Sequence, residues 1–412
     1  MPEVLNSTEL IQLEEKYGAH NYHPLPVVLE RGEGVFVWDI EGKKYFDFLS
    51  AYSAVNQGHS HPRILNALKN QAEKLTLTSR AFYNSELGKY EEFITKLFGF
   101  DKVLPMNTGA EAVETAIKIA RKWGYEKKGI APGEAKIIVC NGNFHGRTTT
   151  IISFSNDPDA RNNFNPYTSG FISVEYNNTE KLKEIIEKDN TSICGFLVEP
   201  IQGEAGVNVP DNGYLSECYQ LCKENNILFI ADEIQTGIAR TGRMLAVDHE
   251  NIKPDMLILG KALSGGAYPV SAVLANDEIM NVIKPGQHGS TYGGNPLACA
   301  VAIEALQVVI DEKLAENAEE LGEKFRTEVQ KMVDKFDFLK AVRGKGLLNA
   351  VLINDTPESS TAWNLCVKLM ENGLLAKPTH GNIIRFAPPL VITEEELFDA
   401  LNILEKVFKQ FE

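Results

Sequence analysis

The chain reads as an α/β protein, a mostly parallel sheet covered by helices on both faces, with a small α+β unit beside it. Three observations predict this. Between about residues 85 and 300, short apolar runs alternate with stretches of helical periodicity, the signature of strand-helix-strand units. The runs are apolar at nearly every position, as strands buried on both faces are. Beyond Asn295-Pro296 the pattern changes to long amphipathic periodicity followed by a few strand-like runs.

Taken in order, Asn6 with Glu9 forms a capping box that opens a helix ending near Gly18. Residues 27–49 predict a small antiparallel meander, punctuated by Arg31-Gly-Glu-Gly34 and Glu41-Gly42. From His61-Pro62 the pattern turns helical, with Ile64, Leu65, Leu68, Ala72 and Leu75 on one face. The buried strands are expected at Lys136–Cys140, Cys194–Val198, Ile227–Ala231, Met256–Leu259 and Val270–Leu274. A long amphipathic pattern then runs to about 335 as a bridge between domains. Val342, Leu347–Ile353 and Ile383–Phe386 predict strands, and a second capping box, Thr393 with Glu396, starts a final helix. The expected division is an N-terminal segment (1–55) packing with the small domain, a large domain (56–305) and a C-terminal small domain (306–412).

At 412 residues, 43% hydrophobic and 24% charged, the chain has ample material for a sizeable core. A net charge of −15 argues against nucleic acid or an anionic membrane as partner. No apolar stretch approaches spanning length. The first residues show neither a secretory nor a transit pattern, so a cytoplasmic location is expected. Six cysteines without a Cys-x-x-Cys pair read as free thiols. Cys218 and Cys222 lie four apart on an expected helix, but no histidine cluster accompanies them, and no metal site is expected.

Two strand ends carry the chemistry. Ile227–Ala231 ends on Asp232-Glu-Ile-Gln235, and Met256–Leu259 ends on Gly260-Lys261. Ligands of open α/β sheets sit at the carboxyl ends of the strands. An amine there can form a Schiff base and a carboxylate can pair with a pyridinium nitrogen, which together point to pyridoxal 5′-phosphate. An aspartate-glutamate strand end would also suit Mg²⁺, so the pair needs the rest of a cofactor site around it. Thr108-Gly-Ala before a helix offers a phosphate seat on free backbone N–H groups. The loop Gly289-Ser-Thr-Tyr-Gly-Gly-Asn-Pro296 offers two further hydroxyls, Ser290 and Thr291. Asn143-Phe-His-Gly-Arg147 follows an expected strand, with Phe144 able to stack on a ring and Arg147 able to grip a carboxylate. Phosphate-loop, dinucleotide, zinc-protease and nucleophile-elbow motifs are missing from the sequence.

In this order, Thr-Gly-Ala-Glu-Ala, Phe-His-Gly-Arg, Val-Glu-Pro-Ile-Gln-Gly-Glu-Ala-Gly, Phe-Ile-Ala-Asp-Glu-Ile-Gln-Thr-Gly, Leu-Gly-Lys-Ala and Gly-Ser-Thr-Tyr-Gly-Gly-Asn-Pro resemble the class III pyridoxal-phosphate aminotransferases. The resemblance covers essentially the whole chain and implies the pyridoxal-phosphate-dependent transferase fold type I. Within the class, Tyr17-Gly-Ala-His-Asn-Tyr-His-Pro-Leu-Pro26, Ser53-Ala-Val-Asn-Gln-Gly58, Asn372-Gly-Leu-Leu-Ala-Lys-Pro-Thr-His380 and Ile384-Arg-Phe-Ala-Pro-Pro-Leu390 resemble the branch that uses L-ornithine.

The resemblance implies a role for each matching residue. Lys261 attaches the cofactor and, once freed, moves the proton at the reacting carbon. Asp232 holds the ring nitrogen, Gln235 meets the phenolic oxygen and Phe144 stacks on the ring. Gly109 and Ala110 bind the phosphate, joined by Ser290 and Thr291 from a partner subunit, which makes a homodimer the expected minimum. Arg147 takes the far carboxylate of either substrate, L-ornithine or 2-oxoglutarate. Arg385 takes the α-carboxylate of 2-oxoglutarate and L-glutamate, and Glu204 closes onto Arg385 when ornithine lacks that group. Tyr22 meets ornithine's α-amino group and Tyr52 shapes the pocket. His145 stands where some relatives carry a bulkier aromatic and is expected to point away from the site. N-acetylornithine and 4-aminobutyrate are the alternative amine substrates, and a cofactor-free binding protein of the same fold is the distant one.

Overall fold

The computed structural model describes residues 5–411. Residues 1–4 and 412, and with them the start of the segment read for a leader, lie outside it. Helix α1 (Ser7–Tyr17) begins on the Asn6–Glu9 capping box and stops at Gly18. Strands β1 (Leu29–Glu33), β2 (Phe36–Asp39) and β3 (Lys44–Asp47) form the antiparallel meander. Helix α2 (Pro62–Ala72) buries Ile64 but ends at Ala72, leaving Leu75 beyond it and exposed.

The main sheet is built from β4 (Lys102–Met106), β5 (Lys136–Cys140), β6 (Phe171–Val174), β7 (Ile193–Val198), β8 (Leu228–Asp232), β9 (Met256–Leu259) and β10 (Ser271–Ala275). Their order across the sheet is β4-β10-β9-β8-β7-β5-β6. Only β10 runs against its neighbours. The α/β class with a mostly parallel sheet is therefore observed. Alternate residues of each apolar run serve opposite faces. Ile138, Phe196, Phe229 and Leu257 pack into one core, and Ile137, Leu197, Ile230 and Ile258 into the other. The second core is covered by α4 (Gly109–Trp123), which lays Val113, Ile117 and Ala120 on it, while α3 (Leu87–Phe98) packs Tyr90 and Ile94 into the first.

Helices α5 (Thr179–Asp189) and α6 (Tyr214–Glu224) complete the cover. The long amphipathic pattern after Pro296 is two helices, α7 (Pro296–Asp311) and α8 (Leu314–Val333), broken where Lys313 turns left-handed. A second sheet of β11 (Leu339–Lys345), β12 (Leu348–Ile353), β14 (Lys377–Thr379) and β15 (Ile383–Phe386) has the order β11-β12-β15-β14. Helix α9 (Thr361–Glu371), the short strand β13 (Leu374–Leu375) and α10 (Glu394–Phe408), on its Thr393–Glu396 capping box, complete the chain. Strand β13 pairs in parallel with β3, joining the N-terminal meander to the C-terminal region.

One buried cation pins these parts together. Arg240 is fully buried and donates to Asn56 Oδ1, to the Leu347 carbonyl at 3.0 Å and to the Pro388 carbonyl at 2.7 Å. Burial lowers its guanidinium to about 9, which still leaves it charged near neutrality. Its three acceptors are Asn56, Leu347 just before β12 and Pro388 just after β15. These bonds tie the ends of β12 and β15, the strand that carries Arg385, to Arg240 just beyond β8 of the main sheet.

Candidate active site

Every parallel strand that matters here ends on the same rim. Strand β4 delivers the Thr108 N-cap of α4, β5 delivers residues 143–147, β7 delivers Glu199, β8 ends on Asp232 and β9 delivers Lys261. Between them lies a cavity of about 220 Å³ lined by Gly109, Ala110, Phe144, His145, Glu199, Asp232, Gln235 and Lys261 among others. The sequence-expected cofactor residues of this chain therefore converge, apart from Ser290 and Thr291.

Lys261 sits half-buried with a left-handed backbone, φ 45°, where a non-glycine residue is strained. Among the described residues its ammonium has neither an ion pair nor a hydrogen bond. Burial lowers its pKa from the usual lysine range, against the pull of Asp232. Asp232 is buried, and its two oxygens are already oriented. Oδ1 accepts from the Ile234 N–H at 3.1 Å, and Oδ2 lies 2.6 Å from His145 Nδ1.

That contact corrects the expectation for His145. A residue directly after the stacking one is expected to point away, but residues 143–147 are a loop, and Gly146 adopts φ 128°. Both side chains therefore reach the same cavity. Burial opposes protonation of the imidazole, but the Asp232 carboxylate outweighs it and raises the pKa. His145 Nε2 has no partner among the described residues.

Glu199 was not singled out from sequence. It is buried, accepts the Phe144 N–H at 2.9 Å, and is pushed up to about 7 by burial, against the opposing pull of His145. Its signal was available: like Asp232, it is a carboxylate directly after a buried strand. At the α4 end, Glu111 occupies the Asn107 and Thr108 N–H groups. The Gly109 and Ala110 N–H groups, in the first turn, are left without an acceptor among the described residues, at the positive end of the helix dipole.

The substrate residues gather at the mouth. Arg385 is buried, and its Nη1 donates to Glu204 Oε2 at 2.8 Å, while its Nε is buried without a partner. The guanidinium lies 5.2 Å from the Tyr52 ring centroid. Gln235 Nε2 donates to the Tyr52 carbonyl at 3.3 Å, linking the β8 end to the mouth. Tyr52 belongs to a left-handed turn, with φ 50°, 46°, 60° and 72° at Ser50, Ala51, Tyr52 and Ser53. Four such non-glycine residues in a row are costly. Asp47 holds the turn through the Leu49 and Ser50 N–H groups, and the Ser50 hydroxyl donates to the Ala387 carbonyl. Arg147 is exposed, 5.8 Å from the Phe144 ring, and Tyr22 is 68% exposed.

Ser290 and Thr291 do not line this cavity. Ser290 Oγ accepts from Asn107 Nδ2 at 2.7 Å, and Thr291 is exposed on the loop beside it.

A model of the family described as aminotransferase class-III matches residues 17–408. The chain belongs to the class III aminotransferases. A mitochondrial ornithine aminotransferase of Drosophila ananassae is 62% identical over 95% of this chain and 89% of its own length. The crystal structure of an acetylornithine aminotransferase from Elizabethkingia anophelis is 66% identical, with a TM-score of 0.92, covering 99% of this chain and all of that one. The ornithine aminotransferase of Toxoplasma gondii is 50% identical with a TM-score of 0.97, over 99% and 96% of the two chains.

Class III aminotransferases use pyridoxal 5′-phosphate, and the residues present fit it. The orphaned N–H groups of Gly109 and Ala110 suit its phosphate, the oriented Asp232 carboxylate suits its ring nitrogen, and the unpartnered Lys261 amine suits its aldehyde.

Proposed function

We propose that this class III aminotransferase moves the δ-amino group of L-ornithine to 2-oxoglutarate. The products are L-glutamate and glutamate 5-semialdehyde, which closes on its own amine to pyrroline-5-carboxylate. The observation that carries the reading is buried Arg385 held by Glu204 beside the Lys261 cavity. A pocket serving both ornithine and a dicarboxylate must neutralise one cation in one half-reaction and release it in the other. Arg385 keeps its Nε free, so its fork can accept a carboxylate once Glu204 withdraws.

When bound, the cofactor supplies an electron-withdrawing ring that stores the amino group between the two half-reactions. Lys261 is the base: burial favours its neutral form, and its Nζ takes the proton from the amine-bearing carbon of the substrate. Asp232, oriented by His145 and the Ile234 N–H, lines the cavity where it would meet the ring nitrogen. Arg147 at the mouth anchors the carboxylate far from the reacting carbon. Tyr52, locked in its left-handed turn, forms one wall. One pocket for both substrates requires that the first product leave before the second substrate enters, so ping-pong kinetics follow.

Ser290 and Thr291 are proposed to complete the phosphate seat of a second copy of the chain. Exposed Phe82, Tyr83 and Tyr292 support a homodimer, and sedimentation should give twice 45.7 kDa.

The likeness to the Elizabethkingia anophelis structure favours N-acetylornithine as the second reading. The test is kcat/KM for L-ornithine, N-acetylornithine and 4-aminobutyrate side by side, with 2-oxoglutarate as acceptor. Ornithine is expected to lead, with pyrroline-5-carboxylate trapped as product. A higher value for N-acetylornithine would overturn the assignment.

A further inference from the structure

A second cation stands beside the Arg385–Glu204 pair. Lys377 on β14 stands directly opposite Arg385 on β15. Directly opposed residues of an antiparallel pair project from the same face, with Cβ atoms about 5 Å apart. Lys377 is half-buried, and its Nζ lies 5.8 Å from the Tyr22 ring centroid. Among the described residues it has no ion-pair or hydrogen-bond partner. Burial lowers its pKa from the usual lysine range, while the Glu204 carboxylate pulls the other way. Two positions along β14, the Thr379 hydroxyl donates to the Glu204 carbonyl at 3.0 Å. The strand that carries Lys377 thus also tethers the Glu204 backbone at its carbonyl.

We propose that Lys377 receives the Glu204 carboxylate when a dicarboxylate substrate takes Arg385, so that the specificity device is a three-group exchange. This rests on the substrate reading above. With ornithine bound, Glu204 neutralises buried Arg385 and Lys377 waits over Tyr22. With 2-oxoglutarate or glutamate bound, a second carboxylate arrives where Glu204 stood. Two carboxylates sharing one guanidinium repel each other, and Glu204 is displaced. An unpaired ammonium on the facing strand gives the displaced charge a partner within reach. Two cations then face two carboxylates, and neither Arg385 nor Glu204 is left unpaired.

The test uses the holoenzyme with Lys377→Met, Lys377→Gln, Lys377→Arg, Glu204→Ala and the Glu204→Ala/Lys377→Met pair. Half-reaction kcat/KM is measured for L-glutamate and L-ornithine, and glutarate serves as a non-reacting dicarboxylate inhibitor. Lys377→Met and Lys377→Gln should each lose about fivefold on glutamate relative to ornithine, the scale of one partly exposed ion pair. Glutarate should weaken by a similar factor, and Lys377→Arg should restore most of both. In the Glu204→Ala background, Lys377→Met should change the ratio by less than about twofold. An unchanged ratio and unchanged glutarate inhibition in Lys377→Met, with the ratio moved by Glu204→Ala, overturns the exchange and keeps the substrate reading. An equal Lys377→Met effect with and without Glu204 also overturns it, because Lys377 would then touch the substrate directly. A ratio unmoved by Glu204→Ala would overturn the exchange together with the Glu204 switch it rests on, leaving the ornithine assignment to the comparison of amines above.

Discussion

Replacing Glu204 with alanine should turn the enzyme towards dicarboxylates. The Arg385 side chain is 5% exposed and that of Glu204 33%, and they meet at 2.8 Å. A hydrogen bond to a charged group contributes about 1.5–3 kcal/mol. A third of Glu204 faces solvent, so screening favours the lower end, about 1.5–2 kcal/mol. Two effects then add in the same direction. Ornithine loses the group that neutralises Arg385 in its complex, and glutamate no longer has to displace that group. The ratio of kcat/KM for glutamate over ornithine should therefore rise at least about tenfold. Stopped-flow absorbance of each half-reaction measures the two constants separately. A ratio that stays where it was, in a folded variant that retains cofactor, would refute the reasoning, since the ion pair would then be structural only.

Two further changes probe the surroundings of the cofactor seat. His145→Phe removes the 2.6 Å partner of buried Asp232 Oδ2 while keeping an aromatic in place. Cofactor retention in equilibrium dialysis should fall at least about tenfold, with His145→Gln recovering part of it; equal retention would mean that Asp232 needs no help. Glu233, fully buried under Val247 and Thr236, is pushed up to about 7 by burial. Its folded pKa lies above its unfolded one, so its contribution is intact below about pH 4.5 and is lost as pH rises through 7. That loss is at most about 3 kcal/mol. Chemical denaturation between pH 5 and 7.5 should show a decline in the native protein that is shallower in Glu233→Gln, and parallel curves would exclude this carboxyl as its source.

Much of the site was legible because its residues follow apolar runs. Asp232 and Lys261 each end a buried strand, and the parallel rule places both on one rim. What remained hidden has physical reasons. Strand β4 contains Pro105, which a strand pattern rejects and an edge position tolerates. Strand β6, Phe171–Val174, is short and partly exposed, so its pattern is weak. The left-handed turn at Ser50–Ser53 contains no glycine, and its conformation is imposed by Asp47 and by the distant Ala387 carbonyl. His145 is expected to point away because it directly follows the stacking Phe144, but the loop with Gly146 at φ 128° brings both side chains to one cavity. The opposition of Lys377 and Arg385 depends on β14–β15 register, which residue spacing alone does not specify.

Reduction of the holoenzyme with borohydride, followed by peptide mass mapping, goes most directly to the heart of the account. A phosphopyridoxyl adduct on the peptide containing Lys261, and its loss in Lys261→Ala, is the expected result. An adduct on another lysine, or none in a protein that turns over ornithine, would contradict it.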